Sequence, residues 1–162
     1  MTDLLKHRTV FTIQKFSDRA HYRQGQPFAR SVFEKNVLLN EGITELQQLL
    51  TGSTLGRSYA QANAYLGVGD STASSGVATS TGLLSTANTL YVQVSTGYPT
   101  LVSQTTTWRS VFSSAQANFA WREFTLSNRA GSTGDNLNRR VSNQGTKVAG
   151  QTWTLDLAIT WS

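Results

Sequence analysis

The chain contains no cysteine, which excludes a disulfide framework and any thiolate-based metal site and leaves the redox compartment open. Its two histidines, His7 and His21, stand near the N-terminus without a carboxylate cluster around them, so neither a metal nor a cofactor is expected. Charged residues make up only 14% of the chain and hydrophobic ones 38%, a balance that excludes a highly charged disordered chain and argues against a helix bundle. No apolar run approaches the ~18 residues of a membrane-spanning helix, and no signal peptide precedes the first strand. A soluble chain made in a cytoplasm, with no membrane partner, is expected.

What fills the space is Ser, Thr, Asn, Gln and 13 Gly, the composition of a turn-rich β-protein with an uncharged polar surface. At 162 residues the chain fits one domain, long enough to bury a sizeable core. The clearest pattern lies at residues 152–161. Trp153, Leu155, Leu157, Ile159 and Trp161 alternate with Thr152, Thr154, Asp156, Ala158 and Thr160, and a period of two is that of a strand with one buried face. Leaving such a face in water costs ~1.5–3 kcal/mol per large side chain, so the rest of the chain must cover it. Trp161, at the end of the strand, is the position expected to be completed by another subunit and is the candidate for an oligomer interface.

Shorter runs supply the cover. Alternation at 104–112 puts Thr106, Trp108, Ser110 and Phe112 on one side, and Asn118 to Ser127 changes face between Trp121 and Phe124, which predicts a β-bulge near Arg122 and Glu123. Strands are also predicted at 9–16, 28–33, 65–69, 90–94 and 137–141, separated by Gly, Pro, Asn and Asp turns. Residues 40–51 predict the one helix: Asn40 as N-cap, Glu41 in the first turn, Gly52 as the stop, and Ile43, Leu46, Leu49 and Leu50 as the stripe that packs on the sheet. The expected fold is mainly β, a β-sandwich or jelly-roll-like domain at 36–162 with one short helix and an extended N-terminal arm.

Charge is placed unevenly. Residues 1–35 hold seven basic side chains against three acidic ones, whereas the remaining residues are nearly balanced, within a net charge of +5. This segment reads either as an edge hairpin with a basic solvent face or as an arm that docks on an acidic partner through Lys6, Arg8, Lys15, Arg19, Arg23 and Arg30. The second reading predicts that the chain still folds without residues 1–32. Nucleic acid is not the expected partner, because the basic residues are scattered singly and no aromatic-basic repeat accompanies them.

Motifs for catalysis are weak or missing. The sequence has no G-x-S-x-G elbow and no P-loop. Gly67-Val68-Gly69-Asp70 resembles half of a dinucleotide fingerprint, but tight packing at a strand end accounts for it. Glu123 near Asp156 would suit a glycosidase, although Arg109, Arg122 and Arg139 are simpler ion-pair partners. The chain is therefore not expected to be an enzyme. Trp108, Trp121, Trp153 and Trp161 all occupy alternating strand positions, where core burial is the ordinary explanation, which leaves Tyr22, Tyr59 and Tyr98 as the better candidates for a glycan platform. The polar run from Asp70 to Leu84 is long enough to be functional or mobile.

Five blocks occur in an order that resembles a group of small virion structural proteins of tailed bacteriophages. They are Val37-Leu38-Leu39-Asn40-Glu41-Gly42, Gly67-Val68-Gly69-Asp70-Ser71, Thr96-Gly97-Tyr98-Pro99-Thr100, Ala117-Asn118-Phe119-Ala120-Trp121-Arg122-Glu123-Phe124, and Asn138-Arg139-Arg140-Val141 through Gly145-Thr146-Lys147 to Gln151-Thr152-Trp153-Thr154-Leu155. The resemblance spans roughly residues 33–161 and implies a component of a phage particle, in the capsid or in the tail. With the basic segment added, the expectation is a capsid decoration or cement protein, a homotrimer that binds the major capsid protein on the outer surface of the head. A tail, baseplate or fibre component, with host glycan as a further partner, is the alternative.

Overall fold

Alternation in the last run places a strand, β10 (Thr152–Trp161), at the centre of a five-stranded antiparallel sheet. A computed structural model describes residues 6–74 and 77–162. On one side β10 pairs with β1 (His7–Phe16), in register from His7 opposite Trp161 to Phe16 opposite Thr152. On the other it pairs with β7 (Thr105–Phe112). The sheet is finished by β2 (Ala29–Glu34) outside β1 and β6 (Thr100–Val102) outside β7.

A second five-stranded antiparallel sheet packs against the first. Its order is β3 (Val37–Leu38), β9 (Asn138–Val141), β8 (Glu123–Ser127), β4 (Tyr65–Gly69) and β5 (Thr89–Gln93). The protein is a mainly β sandwich. Phe11, Ile13, Trp108, Phe112, Trp153, Leu155, Leu157 and Ile159 of the first sheet meet Leu66, Val68, Phe124 and Leu126 of the second in one core. Trp121 stands at its centre, edge-on to Phe112 at 4.7 Å and to Trp153 at 4.9 Å between ring centroids, the geometry that aromatic quadrupoles favour.

The basic segment is a sheet hairpin, not a free arm. Phe11 and Ile13 of β1 are fully buried, and β1 lies inside the sheet with only β2 at the edge. Deletion of residues 1–32 would remove this interior strand together with the edge strand β2, so the truncated chain is not expected to keep the fold. A short helix, α1 (Arg19–Arg23), lies in the connection, capped by Asp18, whose carboxylate accepts from the His21 N–H at 2.9 Å.

Two local expectations also need correction. The run from Asn118 is not one bulged strand: β8 begins at Glu123, and the preceding residues pair elsewhere, with Trp121 donating to the Gly145 carbonyl at 2.9 Å and accepting from Gln144 at 2.9 Å. This departure produces the change of face between Trp121 and Phe124. The predicted helix is present as α2 (Asn40–Leu50), but Leu39 occupies the N-cap position and Asn40 is the first helical residue.

The orientation of α2 is the larger surprise. Gly42 and Glu45 are the buried residues of the helix, while Ile43, Leu49 and Leu50 are exposed. Two contacts explain why. A Cβ at Gly42 would stand 2.4 Å from the Leu137 Cα, so only glycine allows the helix this close to the chain leading into β9. The Glu41 carboxylate accepts from the Asn136 N–H at 2.8 Å and the Glu45 carboxylate accepts from the Arg57 N–H, so partly buried hydrogen bonds and not the leucine stripe orient the helix. We expect Gly42→Ala to destabilise the fold by about 1–3 kcal/mol in urea unfolding, despite the better helix propensity of alanine. An unchanged midpoint would show that this close approach is not needed.

Candidate interaction surface

Strand alternation sorts the basic side chains. Phe11 and Ile13 face the core, so Arg8, Thr12 and Gln14 face outward, together with their β2 neighbours Arg30, Val32 and Glu34. Arg30 stands opposite Gln14, near the end of the hairpin where α1 folds over this face. There Tyr22 packs edge-on against Phe16, with ring centroids 5.3 Å apart. Arg19 and Arg23 are four residues apart on α1 and share one of its sides. Arg19, Arg23 and Arg30, all three exposed, thus lie toward the same end of the sheet's outer face, Arg19 beside Val111 and Thr152 and Arg30 on the β2 edge. None of them forms an ion pair among the described residues. The nearby Asp18 is engaged by His21, at 2.8 Å from its Nδ1.

The other predicted contact residues lie elsewhere. Arg8 reaches the outer face at the opposite end of β1 and is ion-paired to Glu34. Lys15 points toward the core face, 4.5 Å from the Trp153 ring centroid, and donates to the Gln144 carbonyl at 2.5 Å. Burial holds its ammonium below the ordinary lysine pKa. Lys6 is exposed and its backbone exchanges hydrogen bonds with Ser162. Residues 1–5 of the predicted arm lie outside the described residues.

Trp161 ends β10 half-buried, tilted against His7 at 5.7 Å between ring centroids. With Leu38, Ile43, Leu46, Leu49 and Leu50 it lines a groove of about 640 Å³, in which His7 and Gln47 are the polar lining residues among the described residues. The sequence singled out Trp161, but not the groove, because the apolar stripe of α2 reads as buried when α2 is taken as an isolated amphipathic helix.

The carboxylates considered for chemistry are fully engaged. Glu123 is buried on the outer side of β8, where its Oε2 accepts from Arg139 Nε at 3.0 Å, Arg139 Nη2 at 2.8 Å and the Leu84 N–H at 2.9 Å. Its Oε1 accepts from the Ser85 N–H at 2.8 Å. Arg139 in turn donates to the carbonyls of Ser74 at 2.9 Å and Ala73 at 3.1 Å. The pair therefore pins both limbs of the polar 70–88 connection onto the second sheet. Asp156 lies on the outside of the first sheet, clasped by Arg109 through Nε at 2.7 Å and Nη2 at 2.5 Å. Glu123 and Asp156 are thus on opposite faces of the sandwich and do not form a catalytic pair.

Gly69 serves this cluster, since a Cβ there would lie 2.4 Å from Glu123 Oε1. The G-x-G piece is a packing device. Asp70 accepts from Asn88 Nδ2 at 2.6 Å and from the Ser85 hydroxyl, and these bonds, the Ser85 one foremost, hold its carboxyl below the usual range. Lys147 is buried and donates to the Ser113 carbonyl and Asn118 Oδ1, each at 2.8 Å. Desolvation lowers its pKa to about 8.

The tyrosines do not assemble a platform. Tyr59 is buried with its hydroxyl donating to the Asp135 carbonyl at 3.0 Å. Tyr98 lies under Arg109, 5.1 Å from the guanidinium carbon to the ring centroid, and Tyr22 is packed on Phe16. Among the described residues no group of three or more His, Asp or Glu is placed to hold a metal ion, and no helix is long and apolar enough to cross a membrane. Comparison with family models, curated proteins and solved structures finds no match. Function therefore has to be argued from these surfaces and from the sequence.

Proposed function

We propose that this protein is a structural component of a bacteriophage particle, a decoration or cement protein that binds the major capsid protein on the outer surface of the head. The observation that carries the reading is the group Arg19, Arg23 and Arg30, exposed and without ion pairs among the described residues, toward one end of a sheet's outer face. Guanidinium groups held on packed elements suit a carboxylate-rich partner surface, since each can bind a carboxylate through two parallel hydrogen bonds. The ordered sequence blocks over residues 33–161 support the same assignment. So do the structural uses of Glu123, Asp156 and Lys147, each of which holds one part of the fold to another.

The contact surface is the outer face of β2 and β1 with α1, and the opposite sheet faces away from the shell. Binding is expected to weaken as salt rises, because exposed charges are screened over ~8–10 Å at ordinary ionic strength. Capsids lacking the protein, mixed with the chain carrying Arg19→Glu, Arg23→Glu and Arg30→Glu, should retain it on the order of 10²-fold less well than wild type, as like charges then oppose. Lys15→Gln serves as the control and should bind normally. Undiminished binding by the triple variant would remove this face from the account. A tail, baseplate or fibre position is separated by copy number in purified virions: decoration requires hundreds of copies, a tail position a few or a few dozen.

A further inference from the structure

The surface holds two further arginines without ion pairs, Arg57 and Arg129, on elements that the basic face does not use. Beyond α2 the chain turns at Thr51 and Gly52 and runs back against the last turns of the helix, the Ser53 N–H donating to the Gln48 carbonyl at 2.9 Å. Gly56 makes this return tight, since a Cβ there would stand 3.2 Å from the Gln48 Cβ. Where the returning limb meets Arg129, just beyond β8, a pocket of about 470 Å³ opens. Its polar walls are Arg57, Arg129, Thr54, Ser58 and Asn63.

Arg57 is held by its backbone and by its side chain. Its N–H donates to the Glu45 carboxylate, and its carbonyl accepts from Asn128 Nδ2 at 3.1 Å. Its Nη1 donates to Asn63 Oδ1 at 3.3 Å, and Asn63 Nδ2 donates to the Ser58 hydroxyl at 3.3 Å. A guanidinium is a fork of several N–H donors, so one bond to Asn63 aims the group and leaves the rest of the fork for a ligand. Arg129 is exposed, and its N–H donates to the Ser127 hydroxyl at 3.3 Å. Neither arginine forms an ion pair among the described residues, and no Asp or Glu among them lines the pocket. The acidic groups next to it are Glu45 and Asp135. Glu45 is 4% exposed with its carboxylate turned to the Arg57 N–H, and burial first, then the neighbouring Asp135, raises its pKa against the pull of Arg129.

We propose that this pocket binds an acidic saccharide, a sugar that carries a carboxylate or a phosphate, with the oxyanion between Arg57 and Arg129 and the ring hydroxyls on Thr54, Ser58 and Asn63. The planar guanidinium fork matches both oxyanions through paired hydrogen bonds. Hydroxyl and carboxamide groups both donate and accept, as the hydroxyls of a sugar do. A few polar groups converging beside apolar surface are the usual make-up of a small-molecule site, and Leu55, 81% exposed on the pocket wall, offers that surface to the C–H face of a sugar ring. A bare oxyanion is too small a ligand, since a water molecule takes ~30 Å³ and an ion a few times that, which leaves most of the pocket unfilled. The inference stands apart from the capsid reading, because it uses none of the three arginines of the basic face.

Isothermal titration calorimetry of the full chain with glucuronate, glucose 6-phosphate, glucose and inorganic phosphate tests it. At least one of the two acidic sugars should bind on the order of tenfold or more tightly than glucose and than inorganic phosphate, and its binding should weaken as salt rises. Arg57→Gln and Arg129→Gln, both at exposed positions, should each weaken that binding on the order of tenfold while the urea midpoint stays at the wild-type value. The unchanged midpoint separates an arginine that holds a ligand from one that serves the C-terminal end of α2. No binding of either acidic sugar overturns the inference. So does glucose bound as tightly as the acidic sugars, or inorganic phosphate bound as tightly, which would mark a site for a bare ion. Binding that survives both substitutions overturns it as well, since the sugar then sits elsewhere. The Arg19, Arg23 and Arg30 variant should bind the sugar as wild type does, so failure at the capsid and failure of this pocket are read separately.

Discussion

A chain lacking residues 1–16 is expected not to fold. The deletion removes β1, which is hydrogen-bonded along its whole length to β10 and pairs on its other side with β2. It also removes Phe11, Ile13 and Phe16, all buried, each of which contributes ~1.5–3 kcal/mol through burial alone. The loss of these side chains and of a strand's worth of pairing is comparable with the 5–15 kcal/mol that holds a typical domain together, taken as an order of magnitude. Far-ultraviolet circular dichroism and tryptophan fluorescence of the truncated chain should match the urea-unfolded protein. A cooperative unfolding transition in the truncated chain would show instead that the hairpin is an accessory to a self-sufficient core.

Breaking the buried ion pair should have the next largest effect. Glu123 and Arg139 are both inaccessible, with side-chain exposures of 0% and 1%. Replacing Glu123 by alanine leaves the Arg139 guanidinium buried without its counter-charge and strips the Leu84 and Ser85 N–H groups of their acceptor. Removing one member of such a pair costs about 3–5 kcal/mol. The loss should appear as a lowered urea midpoint together with faster protease cleavage within 70–88, because the pair holds both limbs of that connection. A double variant, Glu123→Ala with Arg139→Met, should be less destabilised than the sum of its single changes, since the uncompensated charge has gone. A Glu123→Ala chain as stable as wild type would mean that the connection is held by its other bonds, those of Asp70 among them.

Much of this fold is legible in the sequence where side chains alternate on a strand with one buried face. The run 152–161 is a strand with the residues of its predicted face inward, and β4 occupies the predicted 65–69. The position of residues 7–16 is not legible in the same way. Phe11 and Ile13 alternate weakly between polar neighbours, and nothing local distinguishes an interior strand from an edge, because that depends on which strands pair far along the chain.

Helix α2 shows how an amphipathic pattern misleads. Its leucines mark a face that needs covering, but the face packed on the domain is chosen by a close backbone approach at Gly42 and by the carboxylates of Glu41 and Glu45 reaching backbone N–H groups. Those contacts become visible only when residues 40–45, 57 and 136–137 are brought together. The arginine group has the same character. Arg19, Arg23 and Arg30 are separated in sequence by a loop, and only the fold-back of α1 over Phe16 puts them toward one end of one face. The Arg139 partner of Glu123, by contrast, was among the three arginines that the sequence offered, and the structure selects it.

The most direct measurement of the central claim is a cryo-electron microscopy map of the intact particle. The account predicts density for this sandwich at repeated sites over the outer surface of the head, with the outer face of β1, β2 and α1 against the shell and acidic side chains of the major capsid protein opposite Arg19, Arg23 and Arg30. Density for the sandwich in the tail or baseplate at a few copies, or a head-bound orientation with that face turned to solvent, would contradict it.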